Sequence, residues 1–329
     1  MSQTAYRISV VAPVYNEVEG IRTFHERATK ALAELPGASW ELIYVDDGSA
    51  DGSFAQLARF AADDARVRVV KLSRNFGHQV AITAGLDRAQ GDCAVVIDSD
   101  LQDPPEVIAR LVEKWREGFD VVYGVRSQRR GESALKLLSA SAFYRVLDRM
   151  TGIRIPVDVG DFRLMSRRAL AELNRLREKD RFVRGLVSWI GFAQTGIEYV
   201  RDERYAGETK YPYRKMLKFA LDGITSFSTA PLKLASWLGY ATSALAFLYL
   251  ASLLAQRALG VVGEQGSATG IVALLFLGGV QLICLGTMGE YLGRVFTEIK
   301  PRPIYVVETV LGGEPGGAGP GGAAPDGRA

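Results

Sequence analysis

The stretch CAVVIDSDLQDPPEVIARLVEKW, residues 93–115, sets an apolar run, an acidic loop and an amphipathic segment in immediate succession. The run CAVVIDSD reads as a buried β-strand, and the paired prolines Pro104 and Pro105 suit the first positions of a helix. Asp98 and Asp100 are two residues apart, so on an extended chain they lie on one side. Gln102 follows as a neutral acceptor, and Asp103 is read as the N-cap of the helix that begins at the prolines. Working outward, ISVVAP, ELIYVDD, VRVVKL and DVVYGV are further strands, and Ile21, Phe24, Ala28, Leu32 and Leu35 mark one face of a helix. Alternating strands and helices imply an α/β fold with a mostly parallel sheet covered on both faces. In such sheets ligands sit beyond the carboxyl ends of the strands, where Asp46-Asp47 and Asp98-Ser99-Asp100 both fall.

Bulk composition narrows the possibilities. Forty basic against 37 acidic residues leave a net charge of +3, which offers no reason to expect nucleic acid as a partner. Cys93 and Cys284 lie far apart in apolar runs and read as reduced, buried thiols. The only apolar run near the N-terminus, Ile8 to Val14, is short and contains Pro13, so no signal peptide is expected. Further on, Leu234–Gln256 and Gln265–Gly289 are free of charge, and each exceeds the ~20 residues that cross a bilayer. Both are read as transmembrane helices. Arg214, Lys215, Lys218 and Lys233 precede the first span, and Arg294, Lys300 and Arg302 follow the second, so both termini are expected on the cytoplasmic side of the plasma membrane. Met216, Ala220, Ile224 and Phe227 form a stripe that suits a helix lying in the membrane interface. The expected divisions are a cytosolic domain over 1–210, the interface helix over 211–232, two spans over 233–292, a cytosolic segment over 293–311 and a Gly/Pro-rich tail over 312–329.

The acidic loop has the chemistry of a hard-cation site. Mg²⁺ takes oxygen ligands, typically one or two carboxylates together with substrate phosphates. Asp98 and Asp100 at a strand end could hold a cation that bridges to a diphosphate, and no His or Cys cluster suggests a transition-metal centre. APVYNE (12–17) and VDDGSADGS (45–53) stand at the two earlier strand ends.

These motifs, in order with DSDLQDPP, GDFRLMSRR, RDERYAGETKYP and RPIYVVE around two spans, resemble the family 2 glycosyltransferases of GT-A fold. The resemblance covers about residues 7–310 and is closest to the membrane-bound polyprenyl-phosphate glycosyltransferases, in the bactoprenol glucosyltransferase branch, with dolichyl-phosphate mannose synthase as a relative. It implies that Pro13, Tyr15, Glu17 and Asp47 surround the uridine end of a UDP-sugar. Asp98 and Asp100 would then bind Mg²⁺ or Mn²⁺ with Gln102 beside them, and Asp161 matches the position assigned as catalytic base. The block RNFGHQVAITAG (74–85) also matches the family, without assignable roles, and His78 within it is read as structural.

An anionic lipid head needs cationic hosts, for which Arg126, Arg129 and Arg130 in one loop and Arg201, Arg204 and Lys210 in another are the candidates. A phosphate acceptor with a second pKa of about 6 is mostly deprotonated at neutral pH, which lessens the need for a base. The resemblance implies inversion at the anomeric carbon, a homotetramer, and a flippase and a second glycosyltransferase acting downstream on the lipid-linked sugar. Glucose is the expected sugar, because DVGDFRLMSRR and RFVRGLVSWIGF look closest to the bactoprenol branch; N-acetylhexosamine, galactose and mannose donors are the alternatives. A processive synthase would carry a Gln-x-x-Arg-Trp motif and a dinucleotide-dependent dehydrogenase a G-x-G-x-x-G after the first strand, and neither is present. A non-catalytic scaffold that only binds nucleotide-sugar is a further alternative, disfavoured because every matched position is filled.

Overall fold

The computed structural model describes residues 5–126, 159–179, 181–202, 229–260 and 267–313. These fall into two compact units, one holding the sheet and its helices, the other a pair of long helices.

In the first unit the expected strands form. They are β1 (Tyr6–Val14), β2 (Ala38–Asp46), β3 (Val67–Leu72), β4 (Cys93–Val96) and β5 (Val121–Arg126). Between them lie α1 (Ile21–Ala33), α2 (Ser53–Asp63), α3 (His78–Leu86) and α4 (Ile108–Arg116). Beyond β5 come β6 (Val159–Ser166), α5 (Arg167–Arg175), α6 (Val183–Trp189), β7 (Gln194–Tyr199) and β8 (Val307–Gly312). The eight strands make one sheet in the order β7-β5-β6-β4-β1-β2-β3-β8. β3, β2, β1 and β4 run parallel, as do β5 and β7, whereas β6 is antiparallel to both neighbours and β8 to β3. The fold is therefore a mixed, GT-A-like α/β sheet.

Helix α1 buries Ile21, Phe24, Ala28 and Leu32, the face its periodicity marks, and α4 buries Ile108, Leu111 and Val112. With the inward residues of β1, β2 and β4 they build the main core, in which Ile8, Val10, Leu42 and Val95 are fully buried. The segment expected separately over 293–311 is divided. Its first residues finish a long helix, and its last become β8, which covers the edge of β3. Cys93 is a buried free thiol and Cys284 a half-buried one.

The second unit consists of α7 (Ala230–Ala258) and α8 (Ser267–Ile299). Pro231–Ala258 and Ala273–Ile299 have mean hydropathies of 1.6 and 1.5, so each helix is long and apolar enough to cross a membrane. The Cys284 thiol on α8 approaches the Ala235 carbonyl on α7 at 3.5 Å. Leu245, Phe247, Leu274, Leu282 and Leu292 are exposed, a surface that water does not favour and lipid does. The expected interface stripe, Met216 to Phe227, and the tail beyond residue 313 lie outside the described residues.

Candidate active site

Sheet geometry assembles the site. β4 pairs antiparallel with β6 so that Val96 faces Arg163. Asp98 stands two residues past Val96, and Asp161 two residues before Arg163. The register therefore brings together two carboxylates that are 63 positions apart in sequence, at the edge where β1 and β2 also end. The loops after those strands are tied to one another. Asn16 and Glu17 donate backbone N–H groups to the Ser49 and Ser53 hydroxyls at 3.1 and 2.9 Å, and the Ala50 N–H returns to Asn16 Oδ1 at 2.9 Å. Tyr15 is half exposed between them, Pro13 is buried, and the Pro13 carbonyl accepts from the Ser99 hydroxyl at 2.8 Å. Two non-glycine residues among those described have positive φ, Asn16 at 56° and Leu101 at 64°, and both lie in these loops. Such conformations cost free energy and collect at functional sites.

Asp47 is buried and accepts backbone N–H groups from Phe76 at 2.7 Å and Gly77 at 2.9 Å. It thereby holds the loop that leads into α3, while burial outweighs these bonds and raises its pKa. Gly48 makes the close approach possible. Its φ is +72°, and a Cβ there would sit 2.6 Å from the Arg74 backbone.

In the acidic loop, Asp100 Oδ1 accepts the Gln102 N–H at 3.1 Å. Asp98 has a buried Oδ1 with no hydrogen bond among the described residues, and the ionisable nitrogen nearest to it is His78 Nε2 at 3.5 Å. Burial pushes the Asp98 pKa up to about 6, with His78 opposing and Asp103, Asp161 and Asp100 reinforcing. Among the described residues no group of three His, Cys, Asp or Glu side chains forms a metal cage. Two adjacent carboxylates, one with an unsatisfied buried oxygen, nonetheless fit a hard cation that draws its other oxygens from phosphate and water.

One reading is corrected. Asp103 does not cap a helix: Pro104 holds the cap position of a 3₁₀ turn (Pro105–Val107), and no side chain bonds there. Asp103 is instead buried, accepts the Tyr199 hydroxyl at 2.5 Å and has Arg201 Nε at 3.6 Å. His78, read as structural, places its Nε2 3.2 Å from Asp161 Oδ2 and 3.5 Å from Asp98 Oδ1.

Of the expected phosphate hosts, Arg126 ends β5 directly opposite Tyr199 of β7, and Arg201 follows two residues later. The parallel pairing thus gathers the first member of each cluster around Asp103 and Tyr199. Arg129, Arg130, Arg204 and Lys210 lie outside the described residues.

Residues 9–173 match glycosyl transferase family 2, and residues 230–295 match the GtrB C-terminal hairpin. The chain belongs to glycosyl transferase family 2. The uncharacterized glycosyltransferase YkcC of Bacillus subtilis is 51% identical over 304 residues, 92% of this chain and 94% of that one. The prophage bactoprenol glucosyl transferase homolog of Escherichia coli is 40% identical over 92% of this chain and 99% of its own length. The bactoprenol glucosyl transferase of Shigella phage SfII is also 40% identical, over 94% and 100%.

Three side chains of this family 2 glycosyltransferase converge on Asp161, of which sequence reasoning left Gln79 and Arg184 without roles. Arg184 Nε donates to Oδ1 at 2.9 Å, while Arg184 Nη2, Gln79 Nε2 and His78 Nε2 reach Oδ2 at 3.3, 3.0 and 3.2 Å. Burial alone would raise the Asp161 pKa, but the His78 hydrogen bond and the Arg184 charge hold it far below the usual carboxylate range. So weak a conjugate base, with both oxygens engaged, is poorly suited to take a proton. The block RNFGHQ was the available sign of His78 and Gln79; for Arg184 only the quoted RFVRGLVSWIGF contained it.

Proposed function

We propose that this glycosyltransferase transfers glucose from UDP-glucose to undecaprenyl phosphate at the cytoplasmic membrane face, with inversion at the anomeric carbon. The observation that carries the reading is the Asp98/Asp100 pair at the common edge of β1, β2, β4 and β6, one carboxylate with an unsatisfied buried oxygen, in a chain that also has two membrane-length apolar helices. The relatives named for bactoprenol glucosyl transfer are 40% identical to this chain over nearly their whole length, which supports the reading.

Asp98 and Asp100 would hold Mg²⁺ or Mn²⁺, with Gln102 beside them, and that ion supplies charge neutralisation for the departing nucleoside diphosphate. Pro13, Tyr15, Glu17 and Asp47 would receive the uridine end, in the crevice where the β1 and β2 loops are cross-linked. Arg126 and Arg201 would orient the acceptor phosphate, joined by Arg129, Arg130, Arg204 and Lys210. An acceptor phosphate that is already anionic attacks without surrendering a proton, which agrees with the low basicity of Asp161. Asp161 then acts as a fixed anion that orders His78, Gln79 and Arg184. The product is a β-linked sugar on a lipid phosphate facing the cytoplasm, to be used after a flippase and a second transferase; a homotetramer in the membrane completes the proposal.

Purified protein incubated with UDP-glucose and undecaprenyl phosphate tests the reading. Mass spectrometry should detect the hexosylated lipid phosphate, and the proton coupling at its anomeric carbon should be that of a β-linkage. An α-linked product would refute inversion, and conversion of another nucleotide-sugar in preference would replace the donor.

A further inference from the structure

Asp98 raises a question of support. A carboxylate that holds a cation is normally steadied by neighbouring groups, and such outer partners matter to affinity nearly as much as the ligands do. The nearest ionisable side-chain nitrogen described at Asp98 Oδ1 is His78 Nε2, at 3.5 Å, an electrostatic contact and not a hydrogen bond. That imidazole is not loose, because the same nitrogen lies 3.2 Å from Asp161 Oδ2. Asp161 is in turn gripped by Arg184 at 2.9 Å and by Gln79 at 3.0 Å. Gln79 can face only one way, since the Val183 N–H donates to its Oε1 at 3.0 Å and leaves the amide nitrogen for Asp161. Arg184 is fixed a second time through the Val159 carbonyl at 3.0 Å. The chain of contacts therefore starts in the first turn of α6, crosses β6 and the first turn of α3, and ends on Asp98.

We propose that Arg184, Gln79, Asp161 and His78 are positioning residues that form an outer shell aiming the Asp98 carboxylate at its divalent cation. This rests on the metal role proposed for Asp98. It assigns Asp161 a task that a proton acceptor would not have, because a base acts on the acceptor and leaves the cation's affinity untouched.

The test is Mn²⁺ binding by the full-length protein in detergent with UDP present, read from the electron paramagnetic resonance signal of free Mn²⁺. His78→Ala, at a side chain that is 45% exposed and dispensable for the core, should weaken Mn²⁺ binding about tenfold or more. Arg184→Met and Asp161→Asn should do the same, and Arg184→Lys should recover part of the loss. Each variant is checked for folding by circular dichroism, and His78→Ala keeps the test decisive if the more buried substitutions unfold. Parental Mn²⁺ affinity in folded His78→Ala and Arg184→Met, with Asp98→Asn still deficient, would overturn the outer shell while leaving the metal site standing. Undiminished binding by Asp98→Asn would overturn the metal site itself, and the outer shell with it.

Discussion

Asp98 is asked to be buried and ionised at once. Its pKa of about 6 means that at neutral pH the folded protein carries a carboxylate that the unfolded chain would ionise more readily. The cost vanishes below the unfolded value near 3.8, grows between there and about 6, and is complete above, where it is on the order of 3 kcal/mol. Asp98→Asn should therefore melt higher than the parent at pH 7.5 in chelator, with the advantage fading as the pH falls toward 4, while transfer drops at least about 100-fold. A parental melting curve at both pH values would contradict the burial penalty. Asp100→Asn should also abolish transfer. The pair was legible as an acidic loop behind an apolar strand, although β4 stops at Val96 and the chain turns at Ser99 and Asp100, so the two are not on extended chain as their spacing in the sequence implies. Asp103 was misread because its actual partner, the Tyr199 hydroxyl, is supplied by a strand 96 positions later, and Pro104 takes the cap position instead. The partner of His78 was hidden for the same reason, with Asp161 83 positions away.

At the scale of elements, β1 to β5 could be read as short β-branched apolar runs, and α1 and α4 from one apolar face at helical spacing. VGDFRLMS (159–166) could not: all eight residues of β6 are buried, as in β4, but Asp161 and Arg163 interrupt its apolar run. β8 was taken as a plain segment because its pairing with β3 spans more than 230 positions. Two predictions belong here. Gly48→Ala forces a side chain into positive φ and against the Arg74 backbone, so it should cost at least about 2 kcal/mol in urea unfolding. UDP binding should weaken with it, because the Asp47 bonds to Phe76 and Gly77 depend on that approach. Truncation before Arg302 removes β8 and bares the β3 edge, and it also removes the Tyr305 hydroxyl bond to Asp87 at 2.8 Å. A lower melting temperature and self-association on size-exclusion chromatography are expected, and an unchanged monodisperse profile would show that β8 is dispensable.

For the whole molecule, the apolar helices α7 and α8 imply that the chain stays with membranes. Alkaline carbonate should leave it in the pellet, and detergent should release it; release by carbonate alone would contradict two membrane-crossing helices. The central claim, that the carboxylate pair serves transfer from a nucleotide-sugar to a lipid phosphate, is tested most directly by counting label. Purified protein would be given polyprenyl phosphate, Mg²⁺ or Mn²⁺ and a panel of sugar-labelled UDP and GDP donors, with and without chelator. The account predicts that label from UDP-glucose becomes extractable into organic solvent and that chelator abolishes the transfer. Folded protein that moves label from no donor into lipid, or moves it equally well in chelator, would contradict the account.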